Sequence, residues 1–307
     1  MTGVLLIDKP SGPTSHDVVA RMRRVSGERS IGHAGTLDPR ATGLLVLMLG
    51  KATRIATLLT GHDKAYDATI RFGFATTTDD AAGEPIKVSG WADGQLGGWG
   101  DGRVLSDDAI RTALDATVGP FEQLPPRYSA KMVDGQRAYD LARQDKPIDL
   151  KRASVALHGW EWLGREDDRL HIRVSVSAGF YVRSLARDLG EALGCPAHLD
   201  ALRRTRSGPF DVTRALPLAE AERLGPEVEA HLVPMAEALS DLPAVRVSEA
   251  GLVNVRHGNP IGPQLIEGPW VPASDTLRKI RLLDESGALV ALADLRGGLL
   301  QPSTVLG

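Results

Sequence analysis

The sequence predicts a globular protein of mixed helices and strands, with a small β-rich region at its C-terminal end. Residues 44–49 form an unbroken apolar run, which is typical of a buried strand. Residues 14–25 carry apolar side chains at helical spacing. From about residue 243 the pattern changes to short strands separated by turn residues, for example at 258–260.

Composition limits the class of protein. The chain has 307 residues, of which 42% are hydrophobic, enough for one large domain with a smaller one beside it. No apolar run approaches the roughly 18 residues of a membrane span, and the N-terminal stretch has no signal-peptide pattern. The single Cys195 cannot form an internal disulfide or a cysteine-based zinc site. We therefore expect a cytoplasmic protein with no membrane association.

Charge is unevenly distributed along the chain. The net charge is −3, but residues 1–64 hold nine Lys and Arg against five Asp and Glu, whereas residues 79–108 hold two against seven. A basic face on an acidic protein can attract phosphate groups locally. A solvated surface produces the same pattern, so charge alone does not decide between the two interpretations.

The first half of the chain contains one clear helix and two strands. Thr14 or Ser15 can cap the helix, whose apolar face is formed by Val18, Val19, Met22 and Val25. Residues 44–49 form the first strand, and residues 66–74 alternate as a second. Glycines recur through 89–103, which indicates a flexible surface insertion.

The second half has another strand followed directly by a helix. Residues 172–176 alternate, and apolar positions from 182 to 193 lie on one helical face that ends near Gly194. Tyr181 and Arg183 lie on the turn between these two elements, where functional groups are often presented. Residues 217–241 are acidic and partly helical, which is typical of a connector.

One loop presents a single carboxylate between rigid neighbours. In residues 32–39, two glycines permit a tight backbone path, and Pro39 biases Asp38 toward an extended conformation. The buried strand that follows anchors the loop. Asp38 in this setting suits a nucleophile or a general base, although an Asp-Pro turn of no catalytic function has the same sequence.

Eight ordered segments together resemble the bacterial tRNA pseudouridine-55 synthases of the TruB type. They extend over roughly residues 4–210, and similarity is looser in the C-terminal stretch. The segments are Ile7-Asp8-Lys9-Pro10-Ser11-Gly12, Thr14-Ser15-His16-Asp17, Gly32-His33-Ala34-Gly35-Thr36-Leu37-Asp38-Pro39, Ala41-Thr42-Gly43, Lys64-Ala65-Tyr66, Pro125-Pro126-Arg127-Tyr128-Ser129-Ala130, Gly179-Phe180-Tyr181-Val182-Arg183 and Leu202-Arg203-Arg204.

The resemblance implies an α+β pseudouridine synthase fold and a division into two domains. The catalytic domain, expected over residues 1–242, has a large mixed, mostly antiparallel sheet with flanking helices. Residues 243–307 resemble a small PUA-like RNA-binding domain rich in β-structure. The implied reaction isomerises the uridine at position 55 in the TΨC loop of tRNA to pseudouridine. It uses no cofactor and no metal, and the resemblance implies a monomer whose partner is the T-arm of tRNA, with no obligate protein partner.

The resemblance also assigns roles to individual residues. Asp38 matches the essential carboxylate, Arg183 its partner and Tyr66 the active-site tyrosine. Whether Asp38 attacks the base, attacks the ribose or deprotonates the ribose stays open. The remaining matches are expected to bind substrate: His33 beside the displaced nucleotide, Tyr181 and Leu202 in the uracil pocket, Lys9 and Arg54 at phosphate or holding the loop, and Arg203 and Arg204 at the tRNA backbone.

The chain departs from the family pattern at four places. Arg40 stands where an apolar residue is usual, Ser30 where a basic one is common, and Lys131-Met132 replaces an apolar residue followed by Lys. The segment 89–103 is longer than typical. None of these changes removes Asp38, Tyr66 or Arg183.

Three other functions compete with this interpretation. A tRNA-binding or tRNA-folding chaperone can use the same scaffold with catalysis secondary or lost. An unrelated hydrolase using Asp38 requires a second carboxylate or a metal cluster, and no such constellation is evident. Guide-RNA-dependent relatives share the catalytic motifs but act in multi-protein particles.

Overall fold

The computed structural model, which describes residues 1–86, 105–129, 132–133, 136–137, 149–269 and 279–307, is built around a large mixed sheet. The insertion expected at 89–103 and the departure at Lys131 lie outside the described residues. The strands are β1 (Gly3–Lys9), β2 (Ile31–His33), β3 (Thr42–Leu49), β4 (Lys64–Phe72), β5 (Ala75–Thr76), β6 (Pro85–Ile86), β7 (Gly119–Gln123), β8 (Met132–Val133), β9 (Gln136–Arg137), β10 (Ala153–Glu166), β11 (Arg169–Val176), β12 (Ala197–Ser207), β13 (Phe210–Asp211), β14 (Leu216–Pro217), β15 (Ala244–Val247), β16 (Ile266–Glu267), β17 (Ile280–Leu283), β18 (Leu289–Arg296) and β19 (Leu299–Val305).

Helices connect and cover the strands. The α-helices are α1 (Ser15–Ser26), α2 (Ala56–Thr60), α3 (Asp107–Asp115), α4 (Val182–Ala192), α5 (Leu218–Leu224), α6 (Met235–Ala238) and α7 (Glu249–Arg256). Both helices predicted in detail, α1 and α4, are present. The expected connector 217–241 contains α5 and α6, which confirms its partly helical character.

The described large sheet has the order β14-β1-β3-β12-β4-β11-β10-β7, with β2 added to β3 and β13 to β12. Strand β1 runs parallel to β14, and β3 runs parallel to β12. The other described neighbours in this sheet are antiparallel. The expected mixed, mostly antiparallel sheet is therefore confirmed.

Strand β3 is buried on both faces of the sheet. Leu45 and Leu47 contact the core that contains α1 and α4, whereas Leu44 and Val46 contact a second core on the opposite face. A strand covered on both faces has no polar side, because alternate residues are all buried. This burial explains the continuous apolar run.

Helix α1 begins at a complete capping box. The Thr14 hydroxyl accepts the Asp17 N–H at 3.0 Å, and the Asp17 carboxylate accepts the Thr14 N–H at 2.8 Å. Thr14 is therefore the cap, and Ser15 is released for another contact. The helix ends at Gly27 in the left-handed conformation, with φ +74°.

A second sheet, of order β16-β15-β17-β18-β19, occupies the C-terminal part of the described chain. It has its own apolar core, which includes Val245 and Leu300. Leu289 and Leu292 also pack into the core that covers the back of β1 and β3. The expected β-rich C-terminal region is confirmed, while a boundary at 242/243 stays a prediction. No helix among the described residues is long and apolar enough to span a membrane.

Gly43 permits the parallel contact between β3 and β12. Its φ is +95°, and a Cβ atom there would lie 2.3 Å from the main-chain oxygen of Arg204 and 2.8 Å from its nitrogen. Main-chain atoms in a central strand cannot move aside. A side chain at position 43 therefore separates the two strands.

We expect Gly43→Ala to lower the free energy of unfolding by at least about 3 kcal/mol, because backbone strain and a main-chain clash act together. The matched control is Gly27→Ala, where φ is +74° but no atom lies within 4 Å of the added Cβ. This control carries only the strain, about 1 kcal/mol. Urea unfolding of both variants measures the difference, and equal losses would contradict the clash.

Candidate active site

The loop that carries Asp38 joins β2 to β3 and is fastened to the start of α1. Ser15 is fully buried; its hydroxyl accepts the Leu37 N–H at 2.9 Å and donates to the Leu37 oxygen at 3.1 Å. Two hydrogen bonds to one residue fix the backbone immediately before Asp38. This anchor was not predicted, and its only sequence signal is a serine left over next to the Thr14 cap.

Lys9 ties the same loop to the end of β1. Its side chain is fully buried, and Nζ donates to the main-chain oxygens of Pro10, Pro13 and Pro39 at 2.9–3.1 Å. Three donors thereby join two segments that are far apart in sequence. Of the two roles expected for Lys9, the structure shows the loop-holding one.

Asp38 and Arg183 form a two-point ion pair. Arg183 Nε lies 3.0 Å from Asp38 Oδ2, and Nη2 donates to Oδ1 at 3.3 Å. The guanidinium also donates to the main-chain oxygens of Thr78 and Tyr128. Arg183 lies in the first turn of α4 and is buried. Because these contacts fix its plane, the carboxylate of Asp38 is oriented as well as paired.

Burial outweighs pairing in the electrostatics of Asp38. Removal from water raises the pKa of its carboxyl group above the ordinary value, the neighbouring Arg183 and Lys9 lower it, and Asp80 raises it. The net direction is upward. The carboxylate is therefore a less stable anion and a stronger base than a solvated aspartate.

A cavity of about 250 Å³ opens beside this pair. Six of the residues assigned from sequence lie on its wall. They are Asp38, Tyr66, Tyr181, Arg183, Leu202 and Arg204. The sheet places them together, because Tyr66 on β4 is the Cα partner of Arg204 on β12 and of Val174 on β11.

Tyr181 caps the N-terminal end of α4 through its main chain. Buried Gln123 accepts the Tyr181 N–H at 2.9 Å and donates to the Tyr181 oxygen at 3.0 Å, which fixes the turn. Burial raises the pKa of the Tyr181 phenol, while the charge of Arg183 lowers it. The phenol therefore stays neutral at physiological pH.

Besides Lys9, three of the assigned residues lie outside the cavity wall. His33 is on β2, its ring edge-to-face with His16 at 5.3 Å. Arg54 donates to the main-chain oxygen of Val305, so it joins the two sheets. Arg203 pairs with Asp8 through two bonds of 3.0 and 2.7 Å.

Arg204 differs from the surface arginine expected in a tRNA-backbone cluster. It is 1% exposed, and its guanidinium donates to the main-chain oxygens of Leu44 and Gly35. A residue in this position faces the cavity and cannot reach an external phosphate. Adjacent residues of a strand point to opposite faces of the sheet, so Arg203 and Arg204 have different surroundings. The sequence alone does not show which of the two faces borders the cavity.

Two charged residues of the site were not predicted. Asp80 Oδ2 lies 3.8 Å from Arg183 Nε, although its segment suggested only a solvated acidic face. Lys64 lines the cavity, and burial lowers the pKa of its ammonium group to about 8. A signal for Lys64 existed, since it stands two residues before Tyr66 and so shares its strand face. No group of three or more His, Cys, Asp or Glu in the described ranges is arranged to hold a metal ion.

Two family models together cover all the residues that line the cavity. The TruB family pseudouridylate synthase N-terminal domain matches residues 23–182. The tRNA pseudouridylate synthase B C-terminal domain matches residues 183–240. The junction between the two models falls at Arg183.

Relatives that match nearly the whole chain carry the name of the same family. The chain is 42% identical to tRNA pseudouridine synthase B of Thermobifida fusca, with 99% of this chain and 98% of that protein covered. It is 43% identical to the enzyme of the same name from Leifsonia xyli, with 96% and 93% covered. Among solved structures, the archaeal box H/ACA sRNP Nop10-Cbf5 complex contains a chain of similar fold, with a TM-score of 0.73, 24% identity, and 99% of this chain and 86% of that chain covered.

The charges around Asp38 lead to a direct titration experiment. We expect the Asp38 carboxyl to titrate above the ordinary aspartate range, because desolvation dominates. Arg183→Gln removes the attractive charge and raises that pKa further, whereas Asp80→Asn removes the repulsive charge and lowers it. Carbon-13 NMR of aspartate-labelled protein measures the three titrations. A shift of the same sign in both variants would contradict this account.

Proposed function

The chain belongs to the TruB family of pseudouridylate synthases, and from that membership we propose that it isomerises the uridine at position 55, in the TΨC loop of tRNA, to pseudouridine. The observation that carries the proposal is the Asp38–Arg183 pair on the wall of a cavity lined by Tyr66 and Tyr181. The cavity wall holds one fixed carboxylate and three aromatic residues, Tyr66, Phe180 and Tyr181, which suit one pyrimidine nucleotide taken out of its stack.

Asp38 is the essential carboxylate of this proposal. The reaction breaks the C1′–N1 bond, turns the uracil and joins it again through C5. Attack on C6, attack on C1′ and removal of a ribose proton all require an ionised, desolvated carboxylate. Arg183 favours the ionised form of Asp38, because its charge lowers the pKa that burial raises, and the two-point contact fixes the plane of the carboxylate on the cavity wall.

The cavity wall holds the base. A uracil leaves its stack at a cost of a few kcal/mol, which stacking on aromatic rings offsets. Tyr66 and Tyr181 supply those rings, and Leu202 supplies an apolar contact. The Tyr66 phenol is proposed to help remove the C5 proton. His33, at the outer end of β2, is assigned to the displaced nucleotide.

The remaining proposals concern contacts with the rest of the tRNA, the location of the protein in the cell and its need for partners. Arg203 and Arg54 are proposed to contact the T-arm, and the C-terminal sheet is proposed to be the PUA-like RNA-binding domain. We expect a cytoplasmic monomer that needs no protein partner and no cofactor. The reaction of pure protein with a bare tRNA transcript tests this independence, and a requirement for a guide RNA or a second protein would contradict it.

A tRNA-folding chaperone on the same scaffold remains the competing function. The two proposals differ in what Asp38 does, since folding activity has no use for a carboxylate oriented by a buried arginine. An intact Asp38–Arg183 pair favours the enzyme. Wild-type protein that binds tRNA but forms no pseudouridine would establish the chaperone instead.

We expect Asp38→Asn to reduce pseudouridine formation by at least about 10⁴-fold, because it removes the reacting carboxylate. Binding of tRNA should stay near the wild-type value, since the side chain keeps its size. Tritium release from C5-labelled uridine in unmodified tRNA measures turnover, and filter binding measures affinity. Asp108→Asn, at an exposed carboxylate on α3, is the matched control. Equal loss of turnover and binding in Asp38→Asn would remove the assigned role.

The position in tRNA is tested with the substrate. A transcript in which uridine 55 is replaced by cytidine should release no tritium, while its affinity for the protein changes little. Release that persists at the wild-type level would assign the reaction to another uridine.

A further inference from the structure

The cavity contains two buried cations without carboxylate partners. Lys64 is 6% exposed and Arg204 is 1% exposed, and both line the same wall as Tyr66. Lys64 Nζ donates to the main-chain oxygens of Thr60 and His62. Arg204 donates to main-chain oxygens as well. Among the residues that the structure describes, neither cation forms an ion pair with an aspartate or a glutamate.

The two cations are close to each other. A Cβ atom built on Gly35 would lie 3.3 Å from Arg204 Nη1 and 3.7 Å from Lys64 Cε, and Gly35 itself lines the cavity. The charge of Arg204 also lowers the pKa of Lys64. Gly35 has φ +97°, so a side chain there is both strained and in contact with Arg204. Because Gly35 has no side chain, no Cβ atom at this position stands against Arg204 and Lys64 on the cavity wall.

Charge around the described site does not balance. Three cations, Lys64, Arg183 and Arg204, line the cavity wall against one carboxylate, Asp38. Asp80 lies beside Arg183, and Asp63, which raises the pKa of Lys64, does not line the wall. Burying an unpaired charge is unfavourable unless something compensates it. Because Arg183 already has two carboxylates beside it, the excess positive charge lies on the Lys64 side.

We propose that Lys64 and Arg204 form an electrostatic subsite that stabilises negative charge on the uracil ring during the isomerisation, an inference that rests on the proposed function. Preorganised charges aimed at a site where charge develops are among the largest contributions to catalysis. The pair is fixed by its hydrogen bonds to main-chain carbonyls before any substrate arrives. The ammonium group of Lys64 retains a third N–H that these two bonds do not use.

Each route left open for Asp38 moves negative charge to the base. If the carboxylate attacks C6, a C–O bond forms and the C5–C6 π electrons form an enolate whose charge lies on the C4 oxygen. The C1′–N1 bond then breaks with its electron pair left on the base, and the C6–O bond breaks when the carboxylate leaves. If it attacks C1′, or takes the C2′ proton, the C1′–N1 bond breaks and its electron pair stays on uracil. When C5 then bonds to C1′, the carboxylate is restored, the C5 proton departs and N1 gains one. The ring is anionic in between, whichever route operates.

The test compares two bases in one protein preparation. Fluorine at C5 withdraws electrons and stabilises a uracil anion without help from the protein. Single-turnover rate constants are measured for disappearance of the N1-linked nucleotide in tRNA transcripts containing uridine or 5-fluorouridine. The ratio of the two constants is independent of the fraction of folded enzyme.

We expect Lys64→Gln to slow the uridine reaction about 100-fold and the fluorouridine reaction clearly less. The ratio of the fluorouridine rate constant to the uridine rate constant therefore rises. Glutamine can still donate to the main-chain carbonyls. Lys64→Arg keeps the charge and should keep the wild-type ratio. Lys51→Gln removes one exposed positive charge and serves as the matched control, with unchanged rate and ratio.

Equal slowing of both substrates by Lys64→Gln would overturn the subsite, because a purely structural role does not depend on the base. An unchanged uridine rate would overturn it as well. Failure of the proposed function gives a different result, since wild-type protein then converts neither transcript.

Discussion

The site depends on the ion pair between Asp38 and Arg183, because each partner comes from a different part of the chain and neither is stable alone in its place. Removal from water already raises the pKa of the Asp38 carboxyl group, and loss of the Arg183 charge raises it further; the buried guanidinium of Arg183 loses its nearest counter-charge without Asp38. The loop before β3 and the first turn of α4 must therefore meet with correct geometry. Ser15 and Lys9 fix one side, while Gln123 fixes the other through Tyr181.

The sheet makes that meeting possible through one parallel contact. Strand β12 lies between β3 and β4, so the carboxylate loop, Leu202, Arg204 and Tyr66 come together over three neighbouring strands. Close approach at Gly43 lets β12 pair with the start of β3. Arg204 then reaches back to the main-chain oxygen of Leu44 across the same junction. At the junction of β3 and β12, Arg204 therefore both holds the strands together and forms part of the cavity wall.

Apolar burial on both faces of the sheet offsets the unfavourable free energy of desolvating these charges. Strands β1 and β3 bury leucine, valine and isoleucine on both faces, and the C-terminal sheet closes one of them. Apolar burial contributes roughly 25 cal/mol per Å², which allows the fold to hold several desolvated charges at its centre. Positive φ at Gly35 and the buried cations Lys64 and Arg204 occur together at the cavity wall, as they do when a site is organised before its substrate binds.

The sequence by itself determined the local elements and the family. Periodicity located α1, β3, β4, β11 and α4, and ordered motifs identified Asp38, Tyr66 and Arg183, because these signals lie within short stretches of chain. Only the tertiary structure decided which of the basic residues face the cavity. Lys9 holds the loop, Arg54 joins the sheets, Arg203 pairs with Asp8, and Lys64 and Arg204 line the wall. A cation has no local pattern that reveals its partner, since the carbonyl or carboxylate that binds it comes from distant segments brought together by folding.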